Sequence, residues 1–233
     1  TADNDDGVAY DDFTVSVSDA RQATEQTSLN LKGTGLSIGD VDAGPGDLTV
    51  TLSVAEGTLH ATAGNSSAVV AGDGTSSLTI TGTLLEINSL LGSSGTSTLS
   101  YIDDTNTPGV STTLTLVVND GGNTGDGGDL VGSHTSTILI NAVNDAPVIH
   151  TPAGGIHYWA FNTIGDVTTI NHISFDDVDA GTVQVTLSMN EFGDSLNAHN
   201  FFGSGVTVFG DGTSQVRLQG TIADINNYLF HGD

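Results

Sequence analysis

The chain repeats itself once at the scale of a whole domain. Asp40-Val41-Asp42-Ala43-Gly44, an alternating run, Gly72-Asp73-Gly74-Thr75-Ser76 and Ile87-Asn88 return as Asp177-Val178-Asp179-Ala180-Gly181, a second alternating run, Gly210-Asp211-Gly212-Thr213-Ser214 and Ile225-Asn226. The offset is 137 residues from position 42 to 179 and 138 from 73 to 211. A unit of about 130 residues can bury a core of its own, whereas repeats of about 20–50 residues must stack to do so. The expectation is a tandem array of domains. Residues 20–146 form the first copy and 147–233 a second, incomplete one, which runs only from Asn226 to Asp233 where the first continues from Asn88 to Val143. Phe13 to Ala20 resembles Ile138 to Ala146, so residues 1–19 read as the closing strand of a preceding copy, or as an N-terminal donor strand.

Apolar residues at every second position mark strands with one wet face. Leu48, Val50, Leu52 and Val54 form such a run, answered by Val183, Val185, Leu187 and Met189. Leu78 and Ile80 answer to Val216 and Leu218, and Leu114, Leu116, Val118, Ile138 and Ile140 continue the pattern in the first copy alone. The Gly-Asp-Gly-Thr segments sit between runs, where Asp-Gly provides the positive-φ residues of a hairpin and Asp73 and Asp211 are structural. Thr83-Leu84-Leu85-Glu86 has the pattern of a capping box, repeated as Thr221-Ile222-Ala223-Asp224, so each copy carries one short helix. Leu84, Ile87 and Leu91 share one face, as do Ile222, Ile225 and Leu229.

The charge is one-sided, with 28 Asp and Glu against 3 Lys and Arg for a formal net charge of -25. Nucleic acid and anionic membrane surfaces are excluded as partners, since both are bound through the basic residues this chain nearly lacks. Regular alternation separates it from acidic disordered chains. Without cysteine, neither disulfides nor a thiolate zinc site can hold it together. That absence in a two-domain chain suits an exported bacterial protein, and no apolar run long enough to span a bilayer is present.

Asp40 and Asp42 are one residue apart, so in extended backbone both carboxylates project to one side; Asp177 and Asp179 repeat the arrangement. Hard oxygen ligands so placed suit Ca²⁺, which takes six to eight oxygens in irregular geometry. The acidic glycine-rich stretch from Asp120 to Asp129 does not fit the Gly-Gly-x-Gly-x-Asp spacing and occurs once, so it reads as a hairpin loop.

Asp-Val-Asp-Ala-Gly, Thr-Gly-Thr-x-x-x-Ile-Asn, the Val-Asn-Asp-Gly-Gly run and the closing Val-Asn-Asp-Ala-Pro together resemble the cadherin-like tandem repeats of large bacterial surface proteins and adhesins. The resemblance runs from about Glu25 over nearly the whole chain. It implies an all-β fold of immunoglobulin-like sandwiches strung end to end, with Ca²⁺ at the junctions. The ligands it implies are Asn144 and Asp145 from the linker, Asp177 and Asp179 from the following copy, and Glu25, Asp103 and Asp104 from the preceding one. The earlier junction would use Asp19, Asp40 and Asp42. The second copy departs from the pattern, with no counterpart of Glu25 in Ala160 to Ile173.

Catalysis has little support. The seven His are scattered, no Gly-x-Ser-x-Gly elbow opens a helix, and little could hold an oxyanion beyond backbone N–H groups. The expected function is an extracellular module at the bacterial cell surface, stiffened by Ca²⁺, serving adhesion, with neighbouring repeats and a cell-surface or glycan receptor as partners. A self-assembling filament or surface-layer subunit is the alternative. A carbohydrate-binding module is a third, resting on Tyr158-Trp159-Ala160-Phe161 and Phe201-Phe202, which core packing explains better.

Overall fold

A computed structural model describes residues 14–16, 20–41, 43–122, 128–151, 173–189, 195–198 and 203–231. Contacts divide the chain into two units, Thr1–Val143 and Asn144–Asp233, so the boundary falls three residues before the one expected from Asn144-Asp145-Ala146-Pro147. The fold is all-β with one short helix in each unit.

In chain order unit 1 holds β1 (Thr14–Ser16), β2 (Arg21–Thr24), β3 (Leu29–Asn30), β4 (Ser37–Gly39), β5 (Leu48–Val54), β6 (Thr58–Thr62), β7 (Val69–Ala71) and β8 (Ser77–Gly82). α1 (Leu84–Leu91), β9 (Thr98–Ile102), β10 (Ser111–Asn119) and β11 (Val131–Asn141) complete it. A six-stranded sheet in the order β2-β11-β10-β5-β8-β7 accompanies a three-stranded sheet β3-β9-β6 and the pair β1-β4. The alternation read from sequence appears as burial. Leu48, Val50 and Leu52 on β5, Leu78 and Ile80 on β8, Leu114, Leu116 and Val118 on β10 and Ile138 on β11 are at most 1% exposed. They share one core with Leu59, Leu99 and Tyr101 from the three-stranded sheet. That is the cross-section of a sandwich, two inner faces meeting over interdigitated side chains. The outward positions are hydroxylic, with Thr113 opposite Thr137, Thr115 opposite Thr135 and Thr49 opposite Thr81.

α1 is built as its sequence dictates. The Thr83 hydroxyl accepts from Glu86 N while Glu86 Oε2 accepts from Thr83 N at 2.9 Å, closing the capping box. Ile87, Leu90 and Leu91 go into the core and Leu84 packs against it.

Unit 2 holds β12 (Val148–His150), β13 (Ser174–Asp176), β14 (Val183–Ser188), β15 (Thr207–Phe209), β16 (Gln215–Gly220) and α2 (Ile222–His231). The β5–β8 ladder recurs as β14–β16: Leu48 faces Gly82 as Val183 faces Gly220, and Leu52 faces Leu78 as Leu187 faces Val216. Ile225, Leu229, Val216 and Leu218 form a second, smaller core. Val183, Val185, Leu187 and Met189 are only partly buried there.

Two local readings need correction. Thr14–Ser16 runs antiparallel to β4, with Val15 opposite Ile38, as Val148–His150 runs antiparallel to β13, with Ile149 opposite Phe175. The segment read as the close of a preceding copy thus occupies the place of an opening strand. In the Gly-Asp-Gly-Thr segments the positive φ falls on the glycines, Gly72 (83°), Gly74 (75°), Gly210 (77°) and Gly212 (74°), not on the aspartates. A Cβ on Gly72 would lie 2.3 Å from Ser77 O. The aspartates, exposed, instead tie down a neighbouring segment: Asp73 Oδ1 accepts from Ala61 N at 2.9 Å and Asp211 Oδ1 from Ala198 N at 2.8 Å.

Candidate metal centre

Glu25 follows directly on β2, and the backbone turns there because Gln26 adopts φ 57°, a left-handed conformation rare for a residue with a side chain. That turn lets Gln26 N donate to Asp103 O at 2.6 Å, bringing the end of β2 against the end of β9. Glu25 is 1% exposed and Asp103 fully buried. Glu25 Oε1 accepts from Val143 N at 2.9 Å, whereas Oε2 is buried with no hydrogen-bond partner. Asp103 Oδ1 accepts from Thr105 N (3.0 Å) and Thr105 Oγ1 (2.6 Å), and Oδ2 receives the Tyr101 hydroxyl at 3.4 Å. Burial, then the Asp103 carboxylate beside it, pushes the Tyr101 phenol well above its usual range and keeps it a donor. Asp104, next in the chain, is exposed.

In unit 2 the carboxylates gather around the loop after β13. Asp177 Oδ1 accepts from Ala180 N at 3.1 Å and more weakly from Asp179 N at 3.4 Å. Asp179 Oδ2 accepts from Asp145 N at 3.0 Å, and Asn144 Nδ2 donates to Asp145 O at 2.9 Å. Asp145 Oδ2 is buried without a hydrogen-bond partner. The neighbouring carboxylates of Asp177 and Asp179 act on each other, which raises the pKa of Asp177 and lowers that of Asp179. The chain bends at Val178 and Asp179 rather than running extended as the Asp-x-Asp reading assumed, and Val178 is exposed.

The Gln26–Asp103 backbone bond brings the segments that carry Glu25 and Asp103 together in unit 1, and hydrogen bonds link Asn144, Asp145, Asp177 and Asp179 in unit 2. Asp40 sits at the end of β4, half-buried. Asp19 and Asp42 lie outside the described residues, as do Tyr158 to Phe161, Phe201 and Phe202. Among the described residues no three Asp, Glu or His side chains converge as a metal-binding group. The donor chemistry nonetheless fits a hard cation, since Glu25 in unit 1 and Asp145 in unit 2 each keep one buried carboxylate oxygen without a hydrogen-bond partner.

Sequence reasoning missed Arg21 and the meaning of the repeated Ile-Asn pair. Arg21 is buried on β2, giving Nε to Thr34 Oγ1 (3.1 Å) and Nη1 to Ser136 Oγ (3.2 Å), and burial lowers its pKa. Its place at the start of an alternating strand was the available signal.

No protein-family model matches the chain, and no curated protein does. Among solved structures it is similar to protocadherin gamma B2 extracellular cadherin domains 1–5, at 14% identity and TM-score 0.32 over 91% of this chain. It is similar also to domains 3–6 of that protein, at 14% identity and TM-score 0.29 over 88% of this chain. It spans 32% and 38% of those chains. Similarity of this degree does not separate one sandwich family from another.

Proposed function

We propose that this chain is an extracellular adhesion-type module of a large bacterial surface protein, and that each unit binds Ca²⁺ through its own group of carboxylates. The reading is carried by Glu25, a nearly fully buried carboxylate with one oxygen left without a donor. An unsatisfied buried polar group costs about 1–3 kcal/mol, and more when charged, so such an oxygen persists where a cation completes it. Asp145 Oδ2 repeats the feature beside two adjacent carboxylates. Glu25 grips Val143, and Asp179 grips Asp145, so each unit holds its side of the same three-residue passage by a carboxylate. Cation binding at those carboxylates would stiffen the passage. Bound Ca²⁺ would supply charge neutralisation, held in unit 1 by oxygens of Glu25 and Asp103 and in unit 2 by those of Asp145, Asp177 and Asp179. The bacterial setting rests on the motif set and the lack of cysteine. Among the described residues no helix is long and apolar enough to cross a membrane.

Thermal melts of the 233-residue chain in chelator and in millimolar Ca²⁺ test this. A ligand at 100 times Kd that binds only the folded form adds about 2.7 kcal/mol, and superimposable melts defeat the reading. Glu25→Gln sharpens the test, because it keeps the acceptor for Val143 N and removes the charge. Its melting temperature in chelator should equal or exceed that of the unaltered chain, while its Ca²⁺ response shrinks. A variant destabilised equally in both buffers makes Glu25 structural.

A second reading, assembly by strand addition, draws on β14. Among the described residues it pairs with β16 alone, whereas its counterpart β5 lies between β8 and β10. An unpaired edge with half-covered apolar residues accepts strands. Since β1 is paired with β4 in this structure, donation by the N-terminus would require that ladder to open. Removing residues 1–19 should convert any polymer to monomers, and polymers that persist unchanged exclude N-terminal donation.

A further inference from the structure

Each helix places an asparagine immediately after a fully buried isoleucine, Asn88 after Ile87 and Asn226 after Ile225. Asn226 Oδ1 accepts from Phe175 N at 2.8 Å and its Nδ2 donates to Phe175 O at 2.8 Å. Asn88 treats Ile38 the same way, at 3.0 and 2.8 Å. The N–H and C=O of one residue point to the same edge of a strand, and alternate residues point to the opposite edge. The carboxamide therefore stands where a further strand would pair, while β12 or β1 holds the other edge. Two residues beyond Phe175 is Asp177, and two residues beyond Ile38 is Asp40.

We propose that Asn226 is a positioning residue for the Asp177 and Asp179 carboxylates, with Asn88 holding the strand before Asp40 by the same grip; the claim for Asn226 rests on the calcium reading above. β13 is only three residues long and, among the described residues, has one ladder partner, β12, with three residue pairs. So short a strand does little to fix its own register, and a slip of one residue would turn every side chain to the other face. The amide fixes both the register and the point at which the chain leaves β13. That departure places Asp177 Oδ1 over Ala180 N and Asp179 Oδ2 over Asp145 N. The buried Ile225 and Leu229 set the phase of α2 so that Asn226 faces β13. The grip needs a donor and an acceptor side by side. Aspartate would set an oxygen against Phe175 O, and alanine would leave both backbone groups without their partner.

The test uses the 233-residue chain with Asn226→Asp, Asn226→Ala and, on the exposed side of the same helix, Asn227→Ala. Amide hydrogen exchange over residues 175–180 in chelator is measured beside Ca²⁺ affinity by calorimetry, with circular dichroism confirming that α2 and the strands persist. Asn226→Asp should accelerate exchange in this segment and weaken Ca²⁺ binding by about tenfold or more, the cost typical of losing a group that orients a metal ligand. Asn227→Ala should do neither. Unchanged exchange in a folded variant overturns the proposal, and so does faster exchange with unchanged affinity, which would make the amide a clamp only. If the unaltered chain takes up no Ca²⁺, the calcium reading fails by itself. The exchange result then decides: acceleration confined to residues 175–180 supports positioning, and its absence overturns it. Should the unit 2 variants fail to fold, Asn88→Asp is read in the same way in the larger core of unit 1.

Discussion

At the scale of the residue, the two carboxylate groups differ in what holds them. Glu25 and Asp103 are buried, and their surroundings are fixed by packing, as Gly57 shows. Its φ is 84°, and a Cβ there would lie 2.5 Å from Tyr101 Cε2 and 2.6 Å from Ile102 O. Gly57→Ala should therefore cost about 2 kcal/mol or more, from left-handed strain plus overpacking, and a denaturant melt reads it directly. Asp177 is half-buried and Asp179 exposed, and the two carboxylates act on each other. The hydrogen bond with Asp179 raises Asp177, so Asp177's contribution favours the folded form at low pH and is lost as pH rises through its folded value. Asp179 is lowered, chiefly by Asp177 and then by Asp145 N–H, so its contribution is present at higher pH and is lost as pH falls. A cation held by the pair would compete with protons for Asp177, whose proton affinity its neighbour raises. Apparent Ca²⁺ affinity should accordingly fall as the solution is acidified into the carboxylate range, with proton release visible as a buffer-dependent heat. Affinity independent of pH would show that the cation does not use Asp177.

At the scale of the element, capping and clamping are separate devices on the same helix. Thr83 and Thr221 start the helices, the latter hydroxyl accepting from Asp224 N at 3.1 Å and bonding Asp224 Oδ2 at 2.7 Å. Thr83→Ala and Thr221→Ala should each cost about 1 kcal/mol without touching the strand before the Asp-x-Asp loop. Unfolding measurements check the cost, and unchanged exchange over residues 175–180 in Thr221→Ala separates cap from clamp. The capping pattern was legible because a cap is local: donor and acceptor lie three residues apart. The Ile-Asn repeat was legible as a repeat, but its purpose was not. Its partner lies 50 residues away in unit 1 and 51 in unit 2, and nothing local says that a helix amide will meet a strand edge.

For the molecule as a whole, the tandem organisation bears on the opening strand of each unit. Since β1 and β12 hold equivalent ladders, removing residues 1–19 should lower the melting temperature of unit 1 by exposing one edge of β4, with the β5, β8 and β10 ladders retained by circular dichroism. An unchanged melt would mean that the ladder contributes nothing to stability. Sequence alone determined the repeat, the all-β class, the alternating core of β5, β8 and β10, both helices and the candidate carboxylates, because each is written in spacing over a few residues. Tertiary structure decided what spacing cannot carry. It assigned Thr14–Ser16 to β4, because a short strand takes its identity from its ladder and not from its own residues. It buried Glu25 and Asp103 while leaving Asp104 in water, because burial follows from which chain ends are brought against a site. It also left one carboxylate oxygen in each group without a donor, a property of the packed surroundings that no order of residues announces.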